Sequence, residues 1–388
     1  MHDDQLEAPQ GDFVLRRYPP VKDTSLRAWD AGDAYLSRYV AGEDVDGIPA
    51  WREPPVGDWL VVDHRAGALA VLLHAQRPVL WSDSALTHEG ARRNLVGNEL
   101  PEDAITLLSS VDEPTGPIAV VLVKVPKAIA QLDELLRRLR PALAPDAVVL
   151  GAAMTKDVHR STIEAFSSAI GPTVTSHAWR KARLLHATLD PSMDVAPVEP
   201  YTPVEVADGI KAVVRPGVFG GERLDHGTAL LLASMTWSGV AEDARVLDLG
   251  CGSGVLGVAA AGALADAKLT FLDESYASVA SAIATFDEAH PGRDRVGFVD
   301  DAGIGLEADS TDLVLCNPPF HAQGARGDEV SWRMFQSARR ALVRGGRLVI
   351  VGNRHLGYEA TLARLFDDVA VIGQDARFVV VEARRRVA

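Results

Sequence analysis

Cysteine is almost absent, apolar runs are short and positive charge is in deficit. Cys251 and Cys316 are the only cysteines in 388 residues, so a disulfide framework is not expected and a reducing cytoplasm fits. No apolar run is long enough to span a bilayer. The first residues, Met1-His2-Asp3-Asp4, are acidic and lack the apolar segment of a secretory leader. Lys and Arg number 39 against 53 Asp and Glu, a formal net charge of −14. That balance argues against a broad electrostatic grip on nucleic-acid phosphates and leaves only a confined basic patch open. The remaining composition is ordinarily globular, 47% hydrophobic and 24% charged. The length predicts about two domains at roughly 150 residues each. A cytoplasmic monomer off the membrane is the expectation.

One stretch organises the rest. Val246-Leu247-Asp248-Leu249 reads as a buried parallel strand, and Gly250-Cys251-Gly252-Ser253-Gly254 as the turn that follows it. Glycines in such a turn let the backbone bend tightly and keep Cβ atoms away from a ligand. The Ala- and Val-rich segment from Val255 then starts a helix. The spacing is D-x-G-x-G-x-G, whereas the dinucleotide fingerprint is G-x-G-x-x-G. It resembles the first motif of class I S-adenosylmethionine (SAM) methyltransferases. A glycine turn in another α/β protein is the competing reading.

Strands alternate with helices along the whole chain, which predicts parallel, doubly wound sheets. In the first half the pattern predicts a helix over 23–40, strands over 59–63, 78–81, 118–123 and 147–150, and helices over 84–98, 128–139 and 158–170. In the second half it predicts strands over 269–273, 296–300, 312–316, 345–351 and 378–381, with helices through residue 286, over 332–342 and over 358–366. Pro191, Pro197, Pro200 and Pro203 mark a linker, so the domains are expected at 1–195 and 196–388. The halves match in order and spacing. Val61-Val62-Asp63 parallels Val246-Leu247-Asp248, Trp81-Ser82-Asp83 parallels Phe271-Leu272-Asp273, and Lys124 falls where Asn317 falls. This reads as a duplication. The first copy has lost the glycine turn, keeping only Gly67 in the corresponding stretch 64–69.

Asp273 closes the second strand of the second half, where a carboxylate can accept both ribose hydroxyls; a helix N-cap is the plainer alternative. Asp300 closes the third strand and can accept from an adenine amino group, with Asp301 as its competitor. Asp248 orients the glycine loop or the amino end of a cofactor. Asn317-Pro318-Pro319-Phe320 is the most specific signal. Two prolines fix two φ angles and remove two donors. The Asn317 oxygen and the Pro318 carbonyl are then free to accept from one exocyclic amine, and Phe320 offers a face for a planar base.

These residues resemble the N-P-P-[YF] class of SAM methyltransferases, which act on planar amino nitrogens. Over roughly residues 58–388 the chain resembles the bacterial rRNA guanine-N2 methyltransferases of the RsmC/RlmG family. Leu224-Asp225-His226-Gly227-Thr228 matches that family's L-D-x-G-[ST], Asn317-Pro318-Pro319-Phe320-His321 its N-P-P-F-H, Asn353-Arg354-His355-Leu356-Gly357-Tyr358 its stretch after the fifth strand, and Arg377-Phe378-Val379-Val380 its closing strand. The resemblance implies two Rossmann-like methyltransferase domains in tandem, the first degenerate. It implies SAM as cofactor, held by Asp248, Gly250, Cys251, Gly252, Gly254, Asp273 and Asp300. It implies Asn317, Pro318, Pro319 and Phe320 as catalytic residues and Asn353 as a substrate-binding residue at the base; His321 is a substrate-binding candidate that hydrogen-bonds a base edge or else caps the following loop. The partner would be ribosomal RNA or a ribosomal subunit, methylated at a guanine N2. Residues 124–183 carry ten Lys and Arg against five acids, so Lys124, Lys127, Arg137, Arg138, Arg140, Arg180, Lys181 and Arg183 are candidates to track RNA phosphates, or else a solvated face. Competing functions are methylation of a protein glutamine or of adenine N6, and a non-catalytic ribosome-assembly factor.

Overall fold

A computed structural model of the chain describes residues 4–20, 26–51, 55–63, 66–207, 209–221, 223–319 and 325–386. The chain divides into two compact units, Met1–Pro200 and Tyr201–Ala388. The first contains β1 (Gln5–Ala8), β2 (Gly11–Val14), α1 (Ala31–Val40), β3 (Asp58–Val62), α2 (Ala68–Leu72), β4 (Val79–Ser82), α3 (Ala85–Gly97), β5 (Thr106–Ser109), β6 (Ile118–Lys124), α4 (Ile129–Leu139), β7 (Leu143–Met154), α5 (Arg160–Ala169), β8 (Thr173–Thr175) and β9 (Ala182–Thr188). The second contains β10 (Val204–Ala207), β11 (Ile210–Ala212), α6 (His226–Ser234), β12 (Arg245–Leu249), α7 (Val255–Ala263), β13 (Lys268–Asp273), α8 (Tyr276–Ala289), β14 (Arg295–Val299), β15 (Thr311–Cys316), α9 (Ala325–Ala341), β16 (Leu342–Asn353), α10 (Tyr358–Leu362), β17 (Asp368–Gln374) and β18 (Phe378–Arg384).

Each unit is built on a seven-stranded sheet. The orders are β5-β4-β3-β6-β7-β9-β8 and β14-β13-β12-β15-β16-β18-β17. These are one topology twice: five parallel strands and an antiparallel pair at one edge. The tandem doubly wound architecture is thereby established. In the second unit the chain runs outward from β12 to β14 and then crosses back to β15. The crevice between β12 and β15 is the topological switch point where ligands bind in such sheets. The glycine turn leaves β12 and the Asn-Pro-Pro turn leaves β15, so the two motifs meet there.

Central strands read as continuous apolar runs because both faces are covered. β6, Ile-Ala-Val-Val-Leu-Val-Lys, is buried at every residue. In the second unit Val246, Phe271, Phe286 and Val349 fill one side of the sheet, and Leu247, Leu249, Phe335 and Ile350 the other. Glycines permit the close approaches. A Cβ on Gly257 would stand 2.3 Å from a ring carbon of Phe271, so α7 lies directly on β13.

Several boundaries differ from expectation. The helix expected over 23–40 begins at Ala31, where Asp30 caps it and Asp33 closes a capping box; residues 21–25 lie outside the described set. The helix expected over 332–342 starts at Ala325. Strands β5, β8 and β9 and the hairpins β1–β2 and β10–β11 do not follow from the sequence pattern. β5 shows no buried residue, so its sequence carries little of the apolar signal that marks a strand.

Candidate active site

The glycine loop follows from backbone geometry. Gly250, Gly252 and Gly254 have φ of 74°, 50° and 80°, a region costly for residues with a Cβ. The amides of Gly250 and Cys251 both donate to the Leu272 carbonyl, at 2.7 and 3.0 Å, which ties the loop to β13. The Gly252 amide donates to Asp273 Oδ2 at 3.1 Å, and Ser275 donates to Asp273 Oδ1 at 3.0 Å. A Cβ on Gly254 would meet Ala282 Cα at 2.7 Å, so that glycine seats α7 against α8.

Asp248 is fully buried. Its Oδ2 accepts from the Gly257 amide at 2.9 Å, while its Oδ1 has no hydrogen-bond partner among the described residues. Burial, only partly offset by the Gly257 amide and reinforced by Asp273, pushes its pKa up to about 8. Burial also pushes the thiols of Cys251 and Cys316 well up; both are neutral packing groups.

Asn317 stands at the exit of β15. Its Nδ2 donates to Asp225 Oδ2 at 3.2 Å and to Thr228 Oγ1 at 2.8 Å. An ionised carboxylate only accepts, so Asp225 decides which end of the amide faces it. The Oδ1 of Asn317 is left buried with no hydrogen-bond partner among the described residues. An open cleft is lined by Asn317, Asp225, Thr228, Gly250, Cys251, Ser253 and Phe219. A buried acceptor without a donor costs about 1–3 kcal/mol. Asp225 also caps α6 through the Thr228 amide at 3.1 Å. Asp225 and Thr228 thus hold Asn317 in place, a role that the L-D-x-G-[ST] match leaves unassigned.

The other candidates fall out unevenly. Pro318 is buried and Pro319 exposed; Phe320 and His321 lie outside the described residues. Asp300 accepts from the amides of Asp301 at 2.8 Å and Gly305 at 2.7 Å, closing its own loop. Asp301, its competitor, is committed to Arg333 Nη1 at 2.5 and 2.6 Å. Asn353 is buried at the end of β16 opposite Phe378, which does not suit it to an exposed contact with a base.

The RNA-tracking role expected of Lys124 is corrected. Lys124 is 3% exposed, and its Nζ lies 2.6 Å from Asp30 Oδ1 and 3.0 Å from Asp33 Oδ1. Burial pulls the ammonium pKa down, but Asp33 and Asp30 outweigh it and hold it above the ordinary lysine value. Burial raises Asp33 to about 6 despite Lys124. The arrangement repeats the second unit. Asp30 caps α1 as Asp225 caps α6, and Asp30-Ala31-Gly32-Asp33 lines up with Asp225-His226-Gly227-Thr228. Where the second unit offers an open acceptor, the first unit supplies its own ammonium. Gly67 is structural too: a Cβ there would stand 2.6 Å from Ala91 Cβ.

Arg138 and Arg140 are likewise committed. Arg138 donates to the carbonyls of Ser110 and Asp112 and pairs with Glu113 at 2.9 Å. Arg140 donates to the carbonyls of Ala169, Ile170, Asp190 and Met193. Arg137 pairs with Asp133 at 2.7 Å and donates to the Ala196 carbonyl. Arg138 and Arg140 are thus bound within their own unit, and Arg137 is partly so.

The second unit's cradle suits SAM. It combines a glycine loop without Cβ atoms, an open cleft and two buried acceptors without partners among the described residues. SAM carries positive charge, which favours the ionised form of Asp248. Cofactor binding near pH 7 is therefore expected to release a sizeable part of one proton. Affinity should rise with pH through about 8 and level off above it, once Asp248 is ionised in the free protein as well. Calorimetric titrations in buffers of different ionisation enthalpy measure the release, which should vanish in Asp248→Asn. A wild-type titration that releases no proton contradicts this role.

Comparisons with known proteins agree with the geometry. The RLMG N-terminal domain family matches residues 3–191 and the methyltransferase small domain family matches residues 209–382. A Streptomyces griseus protein named ribosomal RNA large subunit methyltransferase G is 44% identical over 97% of this chain and 98% of its own. A protein of the same name from Yersinia pestis is 38% identical over 99% of this chain and 95% of its own. The solved structure of a T. thermophilus 16S rRNA N2 methyltransferase (RsmC) with AdoMet and guanosine shares the fold. Its TM-score is 0.74 at 19% identity, over 98% of this chain and 97% of that one. Two units of one topology, one site kept and one filled by a lysine, and relatives matched end to end place this chain in the ribosomal RNA large subunit methyltransferase G family of SAM-dependent methyltransferases.

Proposed function

We propose that the second unit transfers the methyl group of SAM to the exocyclic N2 of a guanine in large-subunit ribosomal RNA. The observation that carries this is the Asn317 Oδ1, buried, unpartnered among the described residues and set on the cleft that the glycine loop shares. The names of the relatives support the rRNA substrate, and the N-P-P-F motif supports a planar amino nitrogen. SAM supplies the electrophilic methyl when bound; the chain supplies orientation. Asp225 and Thr228 hold the Asn317 amide so that its oxygen accepts from the guanine amine. Pro318, which has no N–H, leaves its carbonyl as a second acceptor. Together they aim the nitrogen lone pair, and Phe320 supplies a stacking face. No general base is needed, since the methylated, cationic nitrogen loses its proton readily. The base leaves its RNA stack to reach the site, at a cost of a few kcal/mol.

The test is transfer of labelled methyl from SAM to ribosomal RNA and to ribosomal protein, followed by nucleoside analysis. Label in N2-methylguanosine is expected. Label in N6-methyladenosine or in a protein glutamine supports the competing enzymes, and no transfer at all supports a non-catalytic assembly factor.

A further inference from the structure

Lys124, Arg138 and Arg140 are committed within the first unit, where Lys127, Arg180 and Lys181 stay exposed; the second unit offers a further set of cations for RNA phosphates. Cations collect at the carboxyl end of the second unit's sheet, beside Asn317. The 3-10 turn Arg354–Leu356 follows β16, and the β17–β18 turn brings Arg377 next to it, with the Arg354 amide donating to the Arg377 carbonyl at 3.0 Å. Arg354 and Arg377 are both exposed, as are His226 and His355. Arg377 sits 5.0 Å above the Phe378 ring. Arg354 Nη1 donates to the Asp375 carbonyl at 3.1 Å. Each guanidinium is thus held in place while keeping donors of its fork for another acceptor. The nearby carboxylate is held by the chain's own groups: Asp375 Oδ1 accepts from the amides of Arg377 at 2.7 Å and Phe378 at 2.6 Å, and its Oδ2 lies 4.0 Å from His226 Nε2.

The rim also carries an aromatic platform. The His226 ring lies parallel to Phe378, centroids 6.3 Å apart at 15°, and its side chain is 82% exposed. The rim is continuous with the catalytic node. His226 directly follows Asp225, which holds Asn317, and a Cβ on Gly227 would lie 3.5 Å from Phe378.

We infer that His226, Arg354, His355 and Arg377 form the surface that holds the single-stranded RNA flanking the target guanosine, with the arginines on phosphates and His226 stacked on a neighbouring base. Single-stranded RNA suits this chemistry because its bases are free to stack and its phosphates are recognised by guanidinium forks. A target base drawn out of its stack leaves its neighbours at the mouth of the site. The inference rests on the reading of the substrate as ribosomal RNA.

The test compares full-length Arg354→Glu/Arg377→Glu with the wild type, measuring rRNA affinity from low to moderate salt, KM for rRNA and SAM affinity. Each guanidinium–phosphate pair removed should flatten the slope of log K against log salt by about 0.7 to 0.9. RNA affinity should fall about tenfold or more, KM should rise and SAM affinity should hold. His226→Ala should weaken RNA binding without changing the salt slope. Arg354→Gln/Arg377→Gln repeats the test without charge reversal, and retained SAM affinity shows that the unit is folded. The comparison arm is Arg180→Glu/Lys181→Glu, an exposed basic pair in the first unit. A rim variant with wild-type affinity and slope, or a slope change that follows the Arg180 and Lys181 pair instead, overturns the inference. A wild-type chain that neither binds nor methylates rRNA overturns the substrate reading itself.

Discussion

Replacing Asn317 by Ala is expected to lower kcat about 10³-fold while leaving SAM affinity within about threefold. The asymmetry follows from where the side chain acts. Its oxygen accepts from the amine that attacks, so its loss is felt in the transition state and little in the ground state. Asp225→Asn separates holding from accepting. Asparagine caps a helix about as well as aspartate, so α6 should keep its start. But the new amide can donate as well as accept, and it no longer decides which end of Asn317 faces the cleft. The expected outcome is a kcat loss of about tenfold to a hundredfold with unchanged thermal stability. Single-turnover kinetics at saturating SAM, alongside calorimetric SAM affinity, make the measurement. An Asn317→Ala enzyme with wild-type kcat makes the Asn-Pro-Pro turn a structural corner.

The second large effect belongs to the first unit and concerns stability. Lys124→Ala leaves the Asp30 and Asp33 carboxylates facing each other around a buried gap. Removing one partner of a buried ion pair costs about 3–5 kcal/mol. For a unit of this size that is roughly a 10 °C fall in the unfolding transition. The sign of the pH dependence is fixed by Asp33. Its folded pKa of about 6 lies above its ordinary 3.8, so the folded state keeps a proton that the unfolded chain releases between those values. Stability therefore falls as pH rises through that window. Without Lys124, which holds the value down, the window extends upward. The deficit of Lys124→Ala should be larger at pH 8 than at pH 5, as scanning calorimetry of the full chain would show. Lys124→Ala with wild-type stability at pH 8 contradicts the buried cluster.

Sequence carries the second unit further than the first. The strand before Asp248 and the turns at 250–254 and 317–319 are legible because buried parallel strands and turn glycines and prolines follow local rules. The duplication is legible for the same reason. Lys124 is not, because a lysine in a sequence looks like surface charge. Only the fold shows that α1 carries Asp30 and Asp33 onto it. The arginines at 138 and 140 mislead in the same way, since their partners are carbonyls 26 to 53 residues away and, for Arg138, the Glu113 carboxylate, which composition cannot reveal. The role of Asp225 is hidden by a separation of 92 residues from Asn317. β9 is hidden because Ala-Arg-Leu-Leu-His-Ala-Thr has neither strict alternation nor β-branched enrichment.

Two copies of one catalytic node, of which one works, is a claim about stoichiometry. Calorimetric titration of the full chain with SAM tests it most directly. One equivalent should bind. That binding should disappear in Gly252→Val, where φ is +50° and the added Cβ would stand 3.1 Å from the Phe219 carbonyl, while the unfolding transitions persist. Two equivalents bound, or one that survives Gly252→Val, would place SAM outside the glycine loop of the second unit.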